Sequence, residues 1–480
     1  MSLTPALQRP SHTKIVATVG PACDGEARLR ELVEAGVDVF RLNTAHGDQT
    51  QHQARLEAIR RVSQLLGQPV AVLVDLAGPK MRLGELPGGQ LQLAAGQSVR
   101  FVRGEAQAAD DLTTTYEPLV DELHPGDRVM LADGTVSLMV EETGRDFARC
   151  RVVQPGLLRS RQGVNLPGVK LSAPSLSEVD RGFARWAARN DVDFLGLSFV
   201  RSPDDIRGLK ALLAEEGSSI QVIAKIEKPE ALERLEEIVD AADGIMVARG
   251  DLGVEIDVAR VAVVQKEIIA LCSRRHKPVI TATQMLDSMQ HSRLPTRAEV
   301  TDVANAILDG ADACMLSGET AVGEYPREAV EMMHRIALAT ESGCLRREGA
   351  CGPDLKTPGV NPITEAIVHS AARLACELGA KLIAVASTSG ATALSLSKNR
   401  THIPTIGVSR SAGTLRRMCL YWGVLPLPGA PIGDPREVLA FLVERGKAAG
   451  LLTAGDRMIL VAGTGIASSA HNQLMVYEAT

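Results

Sequence analysis

Short runs of apolar, largely β-branched residues alternate with amphipathic stretches over most of the first 345 residues, and this alternation restricts the fold more than any other feature. Apolar strands separated by helices are typical of a parallel sheet that is covered on both faces. Eight successive units favour a closed (β/α)8 TIM barrel, although the count alone leaves an open sheet as an alternative. The predicted strands are residues 14–19, 37–42, 69–75, 194–198, 222–226, 244–248, 278–283 and 313–317. The predicted helices between them are residues 26–35, 53–66, 204–215, 229–241, 259–274 and 297–308.

The connection between the third and fourth predicted strands is too long for one barrel unit, because more than 100 residues separate Asp75 from Phe194. Within it, residues 90–102 and 127–153 alternate apolar and polar side chains between Gly-Gly, Pro-Gly and Asp-Gly turn signals. We expect an inserted all-β domain, hinged at Gly84 and near residues 165–168. Because the insertion follows the carboxyl end of a barrel strand, it is placed as a lid.

A third block follows a polar link that contains Pro and Gly at residues 346–361. It alternates predicted helices (residues 363–378, 392–399 and 437–446) with predicted strands (residues 382–386, 405–408 and 458–461), which indicates a smaller C-terminal α/β domain. The predicted domains are therefore a barrel of residues 1–83 and 168–344, a lid of residues 84–167, and a C-terminal α/β domain of residues 345–480.

The composition excludes several classes of protein. The 480 residues include 52 Lys+Arg and 58 Asp+Glu, a net charge of −6, which argues against a general grip on nucleic acid or an anionic membrane. No apolar run approaches the ~20 residues that cross a bilayer, and residues 1–11 lack the apolar core of a secretory signal. The eight Cys are scattered and none form C-x-x-C, so neither a zinc cluster nor a disulfide framework is indicated. We expect a cytoplasmic protein.

Polar residues follow almost every predicted barrel strand, at the end where such barrels carry their active sites. A purely structural reading, in which charges merely cap strands, is an alternative. These residues are Arg41 and Asn43, Asp75, Ser198 and Arg201, Lys225 and Glu227, Arg249 to Asp251, Thr283, and Ser317 with Glu319.

Lys225 and Glu227 are two positions apart, so their side chains leave an extended segment on the same side. An isolated pair of this kind is an ion pair. With Asp251 from the neighbouring strand, however, two carboxylates face one small space, which suits Mg2+ with water and substrate oxygens. Lys225 would then stabilise a phosphoryl group or an enolate oxygen, and Gly250 would let the backbone approach a ligand.

Other signals have simpler explanations. Arg249-Gly250-Asp251 matches a cell-adhesion tripeptide, which has no meaning in such a barrel, and Thr296 to Glu299 and Ser177 to Asp180 fit helix capping boxes. No G-x-x-x-x-G-K-[ST] motif is present, so a nucleotide would be held without a P-loop. Ser387, Thr388, Ser389 and Gly390 join a predicted strand to a helix, as either an anion cradle or a simple N-cap turn.

A series of long motifs in fixed order resembles the pyruvate kinase family from about residue 13 almost to the end. They are TKIVATVGP (13–21), RLN (41–43), DLAGP (75–79), GVNLP (163–167), AKIE (224–227), IMVARGDLGVE (245–255), ATQML (282–286), PTRAE (295–299) and MLSGETA (315–321). The family's architecture also matches the predicted fold: a TIM barrel with an inserted β-barrel lid and a C-terminal α/β domain.

The resemblance implies transfer of a phosphoryl group from phosphoenolpyruvate to ADP, which gives pyruvate and ATP. By the matching positions, Glu227 and Asp251 hold Mg2+ or Mn2+, and Lys225 stabilises the transferring group and the enolate. Arg41 binds phosphate, and Gly250, Asp251 and Thr283 surround the substrate carboxylate, Thr283 also being a candidate for organising proton delivery. Positions matching Asn43, His46 and Arg82 contact a monovalent cation or the nucleotide. In-line phosphoryl transfer needs this kind of positioning and charge neutralisation.

Two departures from the family pattern concern K+. Residues 43–46 read Asn-Thr-Ala-His where many members have Asn-Phe-Ser-His, so a hydroxyl is missing at Ala45. Lys80 stands where the family has Glu after Gly-Pro, and members with Lys there resemble a K+-independent type. We expect the Lys80 ammonium to supply the charge and K+ not to be required. A third departure is Gln162, which replaces a nucleotide-contacting lysine and puts that contact in doubt.

The loop from Ser387 to Gly390 resembles the family's effector phosphate loop, but Ala391 replaces a common Arg, and no Arg or Trp clamp is evident near residues 463–465. The resemblance implies a sugar-phosphate or nucleoside-monophosphate activator other than fructose 1,6-bisphosphate, and a homotetramer. Two alternatives remain: an Mg2+-dependent barrel lyase or aldolase acting on a 2-oxo acid enolate, and a metabolite-sensing regulator with a decayed site.

Overall fold

A computed structural model describes residues 11–345 and 361–480, apart from residues 109, 133, 170, 171, 173 and 464–472. Its strands are β1 (Lys14–Thr18), β2 (Val39–Asn43), β3 (Ala71–Asp75), β4 (Gln90–Leu93), β5 (Ser98–Val102), β6 (Asp111–Leu112), β7 (Arg128–Leu131), β8 (Val136–Thr143), β9 (Phe147–Gln154), β10 (Gly156–Arg159), β11 (Val164–Asn165), β12 (Phe194–Leu197), β13 (Gln221–Ile226), β14 (Gly244–Ala248), β15 (Val279–Ala282), β16 (Ala313–Leu316), β17 (Leu382–Ala386), β18 (Thr405–Val408), β19 (Val424–Pro426), β20 (Arg457–Ala462) and β21 (Gln473–Glu478). Its helices are α1 (Glu26–Ala35), α2 (Gln49–Leu66), α3 (Leu119–Glu122), α4 (Glu178–Arg189), α5 (Pro203–Glu215), α6 (Pro229–Glu233), α7 (Leu235–Ala241), α8 (Arg249–Glu255), α9 (Val261–Arg274), α10 (Arg297–Asp309), α11 (Gly318–Ala321), α12 (Pro326–Leu345), α13 (Pro362–Glu377), α14 (Ala391–Lys398), α15 (Ala412–Met418) and α16 (Pro435–Ala448).

Eight parallel strands close into a barrel in the order β1, β2, β3, β12, β13, β14, β15 and β16, with β16 paired to β1. The predicted barrel is therefore confirmed. Alternate residues of each strand pack into two different cores, as the pleat requires. Ile15 and Ala17 pack with the surrounding helices, whereas Val16 belongs to a second cluster that also contains Leu420 and Tyr421 of the C-terminal region.

Two predicted helices differ from those in the structure. The helix predicted at residues 229–241 is two helices, α6 and α7, because Arg234 leaves the helical region with φ −118° and ψ 26°. The helix predicted at 259–274 begins as a 3-10 turn, Val258–Arg260, before α9. The seven-residue helix α8, which starts directly after β14, was not predicted.

The lid lies between β3 and β12, and its strands form a six-stranded and a two-stranded sheet. The expected β-sheet insertion is confirmed, and it also contains one helical turn, α3, which follows Pro118 and buries Leu119 and Val120. The two ends of the lid lie side by side: Leu83 N donates to Gln162 O at 2.8 Å.

The C-terminal domain is a five-stranded sheet in the order β19, β18, β17, β20, β21, in which β21 is antiparallel to β20. The strands and helices predicted there are present, but β19, β21 and α15 were not predicted. Most of the predicted link at residues 346–361, and all but the first residue of the loop at 463–465, lie outside the described residues.

Four aspartates repeat at the base of the barrel, one directly before every second strand. Each carboxylate accepts the backbone N–H of a residue on the preceding strand, at 2.8 Å in all four cases. These four residues, which we name the aspartate ring, are Asp38, Asp193, Asp243 and Asp312.

Basic residues neutralise the aspartate ring, and three of its members are connected to the C-terminal domain through these basic residues. Asp312 pairs with Lys398 at 2.6 Å and with Arg400 at 3.0 Å. Asp193 pairs with Arg416 at 2.6 Å. Asp38 lies 3.6 Å from Lys14, whose Nζ donates to the carbonyl of Val424 at 2.7 Å, whereas Asp243 pairs with Lys210 of α5 within the barrel domain. The base of the barrel is thus joined to the C-terminal domain by buried charge.

Among the described residues, no helix is both long and apolar enough to cross a membrane. Six cysteines have described side chains; all six are free thiols, and five of them are buried.

Candidate active site

The carboxyl ends of β2, β3 and β13 bring Arg41, Asp75 and Lys225 together. Arg41 holds the Oδ2 atom of Asp75 with Nη2 at 2.6 Å and Nε at 2.7 Å, and its Nη1 donates to Thr18 Oγ1 at 3.1 Å. The other oxygen of Asp75, Oδ1, lies 3.2 Å from Lys225 Nζ, an ion-pair distance without an aligned hydrogen bond. Because only 1% of the Asp75 side chain is exposed, the two cations replace its hydration.

Lys225 Nζ lies at the centre of this group. It donates to Ser198 Oγ at 2.6 Å and lies 2.9 Å from Glu227 Oε1, as the shared side of the two positions predicted. Ser198 Oγ in turn donates to Leu76 O at 2.7 Å. Burial alone would lower the pKa of Lys225, but the charges of Asp75 and Glu227 outweigh burial and raise it. The ammonium is therefore a fixed positive charge.

The pKa values of the two central carboxylates, Asp75 and Glu227, are shifted in opposite directions. Burial on its own would raise the pKa of Asp75, but Lys225 and then Arg41 more than compensate, so its pKa lies below the usual value. Burial, together with the negative charge of Asp251, raises the pKa of Glu227 above the usual range despite the nearby ammonium of Lys225. Glu227 Oε2 also accepts the N–H of Phe199 at 2.8 Å.

This repulsion gives a test of whether the residues fit a divalent cation. Glu227 follows β13, and Asp251 lies in the first turn of α8 beside it, close enough for their negative charges to interact. A cation between them would remove the repulsion. The described residues contain no group of three or more His, Cys, Asp or Glu side chains placed to hold a metal. A pair of carboxylates that leaves the remaining positions to water and substrate is the donor set of Mg2+, so the residues fit.

Thr283 and Gly250 join the ends of β14 and β15. Gly250 N donates to Thr283 Oγ1 at 2.8 Å, and that hydroxyl donates to Ala282 O at 2.7 Å. A Cβ on residue 250 would lie 3.3 Å from Thr283 Oγ1, which explains the need for glycine at this close approach. Thr283 and Gln284 both have positive φ, 66° and 55°, so this corner is strained.

Arg249 holds the strained corner, a role that the sequence did not reveal. It donates through Nη2 to Thr283 O at 2.9 Å and through Nε to Ala282 O at 3.3 Å. Its Nη1 contacts Asp302 at 2.7 Å. The tripeptide that begins at Arg249 is therefore part of the barrel mouth. Its position directly after β14 was the available signal.

Asn43, His46, Lys80 and Arg82 lie on the side of the mouth that faces the lid. Asn43 Oδ1 accepts the N–H of Ala45 at 3.1 Å. Partial burial, followed by the charges of Arg82, Lys80 and Arg41, lowers the pKa of His46, so its ring is neutral at pH 7. Arg82 Nη1 donates to Arg161 O in the lid at 3.3 Å. The Lys80 side chain is exposed.

Thr44 does not replace the hydroxyl that is missing at Ala45. Its Oγ1 donates to Asp75 O at 3.1 Å and accepts the N–H of Ala77 at 3.0 Å, so both of its functions serve the backbone. Gln162 is also used locally, because its Oε1 accepts the N–H of Arg159 at 2.7 Å.

Glu319, one of the polar residues predicted at strand ends, serves only the backbone in this structure. Glu319 is buried, and its oxygens accept the N–H groups of Leu286 at 3.0 Å and of Ser317 at 2.7 Å. Burial raises the pKa of Glu319. These contacts shape the loop after β16.

The residues from Ser387 to Gly390 join β17 to α14, well separated in the chain from the barrel mouth. Gly390 N donates to Ser387 Oγ at 3.1 Å, and Ala391 N lies 3.4 Å from Ser389 Oγ. Thr388 O accepts the hydroxyl of Thr414 at 2.9 Å. These hydroxyls therefore accept backbone N–H groups within the loop, while Gly390, the N-cap of α14, makes no side-chain capping bond.

Comparison with known proteins finds matches along nearly the whole chain. A family model described as "Pyruvate kinase, barrel domain" matches residues 10–330, and another, "Pyruvate kinase, alpha/beta domain", matches residues 365–477. Pyruvate kinases of Sporosarcina psychrophila and Geobacillus stearothermophilus are each 40% identical over 96% of this chain and 79% of their own length. A solved pyruvate kinase structure from Cryptosporidium parvum aligns with a TM-score of 0.90 and 33% identity over 99% of this chain and 97% of its own. With a barrel, a lid, a C-terminal α/β domain and matches along nearly its whole length, the chain belongs to the pyruvate kinase family.

Proposed function

We propose that Lys225 is the group in this pyruvate kinase that stabilises the phosphoryl group as it moves between phosphoenolpyruvate and ADP, and then the enolate of pyruvate. The position of its ammonium, 2.6 Å from Ser198 Oγ and 2.9 Å from Glu227 Oε1, carries the proposal. A buried ammonium held by fixed partners does not reorganise as charge develops on substrate oxygens. Family membership also excludes the lyase and the regulator as alternative functions, because pyruvate kinases are transferases.

The neighbouring residues supply the rest of the site in this proposal. Arg41 binds phosphate, and Thr283 and the N–H of Gly250 orient the substrate carboxylate, with Thr283 organising proton delivery to the enolate. Glu227 and Asp251 would hold Mg2+ or Mn2+. When bound, the ion neutralises charge on phosphate oxygens.

The direct test is pyruvate formation from phosphoenolpyruvate, ADP and Mg2+ in a buffer free of K+ and Na+. We expect turnover without K+ and no increase when K+ is added. If no pyruvate forms in either buffer, even with phosphorylated activators present, the assignment of the site is contradicted.

We also propose that Lys80 takes the place of K+. The missing hydroxyl at Ala45, the local use of the Thr44 hydroxyl, and the effect of Lys80 on the pKa of His46 all support an ammonium on this side of the mouth. Lys80→Glu should lower activity in K+-free buffer and restore part of it when K+ is added. Lys381→Glu, an exposed change of the same kind in the C-terminal domain, is the control. Equal activity of Lys80→Glu and the parent without K+ would refute the role of Lys80.

Asn43, His46 and Arg82 are proposed to contact the nucleotide. Gln162→Lys would restore the family's lysine at the lid hinge, and we expect the KM for ADP to fall while the KM for phosphoenolpyruvate stays unchanged. No change in the KM for ADP would contradict a nucleotide contact at this position.

For the whole molecule we propose a homotetramer, built from the barrel of residues 1–83 and 168–344, the lid of 84–167 and the C-terminal domain of 345–480. A sugar phosphate or nucleoside monophosphate would activate it at the loop from Ser387 to Gly390. Light scattering tests the tetramer, and titration of phosphorylated metabolites tests the activator. If no phosphate in the panel changes the apparent affinity for phosphoenolpyruvate, effector binding at this loop is refuted.

A further inference from the structure

A buried ion pair joins the two segments that carry the proposed metal ligands. Lys228 directly follows Glu227, and Glu255 lies four residues after Asp251, which places it on the same face of α8. Lys228 Nζ contacts Glu255 Oε1 at 2.6 Å, with only 7% and 1% of the two side chains exposed. We name this ion pair the clasp. It fixes the end of β13 against the end of α8, and hence the separation of the two ligands.

The lid contacts the clasp at the hinge. Asn165 Nδ2, on the returning hinge strand β11, donates to the same Glu255 Oε1 at 3.3 Å. A lid turn also lies against α8, since a Cβ on Gly134 would be 3.5 Å from Val254 Cγ2. Movement of the lid therefore acts on the end of α8 opposite to Gly250 and Asp251.

Phe199 links the other half of the clasp to Glu227. The Lys228 ammonium lies 5.7 Å from the centre of the Phe199 ring, and the backbone N–H of Phe199 donates to Glu227 Oε2 at 2.8 Å. One residue thus contacts both the metal-ligand carboxylate and the clasp cation.

The second oxygen of the clasp carboxylate, Glu255 Oε2, is buried without a hydrogen-bond partner among the described residues. Leaving such an oxygen unpaired destabilises the folded protein, because its lost hydration is not replaced. A pair kept only for stability would be expected to satisfy both oxygens. This oxygen remains available to a donor when the lid takes another position.

We propose that the Lys228–Glu255 clasp is a positioning element that sets the separation of Glu227 and Asp251 and couples it to the lid through Asn165. Neither clasp residue touches the reacting atoms. The inference rests on the proposed role of Glu227 and Asp251 as metal ligands.

The primary test is the affinity of the full-length protein for Mn2+, measured by electron paramagnetic resonance in the absence of substrates. Glu255→Gln and Lys228→Met should each weaken Mn2+ binding by about tenfold, the lower end of the range for residues that orient metal ligands. Hydrogen exchange of the amides at residues 163–167 should become faster in both. Lys266→Met, which breaks the Lys266–Asp309 pair on the outer helices, should change neither quantity.

Three further variants separate the possible failures. Glu255→Asp keeps the charge with a shorter side chain and should recover part of the Mn2+ affinity, and it serves if Glu255→Gln does not fold. If Glu227→Gln and Asp251→Asn weaken Mn2+ binding but folded clasp variants bind it like the parent, the clasp inference is overturned and the metal site stands. If Glu227→Gln and Asp251→Asn also leave binding unchanged, the metal site fails and the inference fails with it.

Discussion

Lys225 illustrates how one residue depends on several charges at once. It is flanked by the carboxylates of Asp75 and Glu227, while Arg41 shares Asp75 from the opposite side. Removing the ammonium would leave two buried carboxylates with a single nearby guanidinium. Activity and acid stability should therefore change together at this position.

We predict that Lys225→Met lowers kcat by about 10²–10³-fold, the usual effect of removing one donor that stabilises a transition state. Lys266→Met, on an outer helix, is the matched control and should retain the parent's kcat. The prediction is checked by steady-state kinetics with phosphoenolpyruvate and ADP. A kcat within a few-fold of the parent would show that Lys225 is not part of the reacting group.

The same variant should lose stability at higher pH than the parent. The pKa of Asp75 is lowered in the folded protein, so the stability it contributes is present above its unfolded value of about 3.9 and is lost as the pH falls through the folded value. Without Lys225, burial is opposed by fewer cations, so the folded pKa of Asp75 rises. Unfolding temperatures measured from about pH 3 to pH 7 would reveal the shift, and an unchanged acid limb would contradict it.

For single residues, the sequence predicted which side chains lie at the same edge of the barrel better than it predicted which of them touch. Strand-end position was enough to select Lys225, Glu227 and Thr283, because parallel strands end at the same edge of a barrel. It gave no role to Arg249 or to the clasp, since both depend on how far a long side chain reaches across to another segment. Such distances are set by packing and not by spacing along the chain.

Helices are the elements that the sequence predicted most consistently where a cap was visible. The capping boxes expected at Ser177 and Thr296 are both present, with reciprocal bonds to Asp180 and Glu299. The break at Arg234 was missed because no Gly, Pro or cap residue marks it. The short α8 was missed because Gly250 and Gly253 lower the helix propensity of its seven residues. Tertiary contacts override local propensity there.

We predict that Ser177→Ala destabilises the protein by about 1 kcal/mol with kcat unchanged, the usual cost of losing an N-cap. Asp180 would still accept the N–H of Gly78 through its other oxygen, which lies 3.3 Å away, so the loop after β3 keeps its support. Ser177→Asn, which can accept the same capping bond, should retain the parent's stability. Urea denaturation and steady-state kinetics measure the two effects. A loss of kcat in a fully folded Ser177→Ala would give α4 a functional role.

The aspartate ring belongs to the scale of the whole molecule, and the sequence analysis missed it. Its available signal was an aspartate directly before every second barrel strand, within the segments GVD, DVD, AAD and GAD. The intervals between these segments are irregular because the lid interrupts them. Nothing in such a pattern tells that Asp312 pairs with Lys398, 86 positions away, or that Asp193 pairs with Arg416, 223 positions away.

We predict that Asp312→Asn costs about 3–5 kcal/mol, because it leaves the Lys398 ammonium, with 0% of its side chain exposed, buried without its partner. Asp243→Asn should cost less, since 36% of the Lys210 side chain is exposed and water can take over. Guanidinium unfolding of each variant gives both values. Equal costs would show that burial of the partner does not decide the effect.

The two tryptophans allow the two domains to be followed separately. Trp186 lies on α4 of the barrel domain, and Trp422 lies in the C-terminal domain. The guanidinium carbon of Arg400 is 4.8 Å from the centre of the Trp422 ring. In variants that keep one tryptophan each, Asp312→Asn should separate the two fluorescence transitions, whereas Asp243→Asn should leave them coincident. Coincident transitions in Asp312→Asn would show that the ring does not couple the domains.

The paired ends of the lid also bear on the order of folding. The bond from Val72 N to Asp193 joins residues 121 positions apart, yet the lid between them returns the chain to its starting point, where Val164 N donates to Met81 O at 3.0 Å. Each doubling of an unstructured loop costs about 0.6 kcal/mol of closure entropy, so a folded lid brings the third and fourth barrel strands together at lower cost. We expect the lid amides of Val99 and Cys150 to gain protection before Leu73 in pulsed hydrogen exchange. The segment that covers the finished site would then also be the segment that allows the barrel to close.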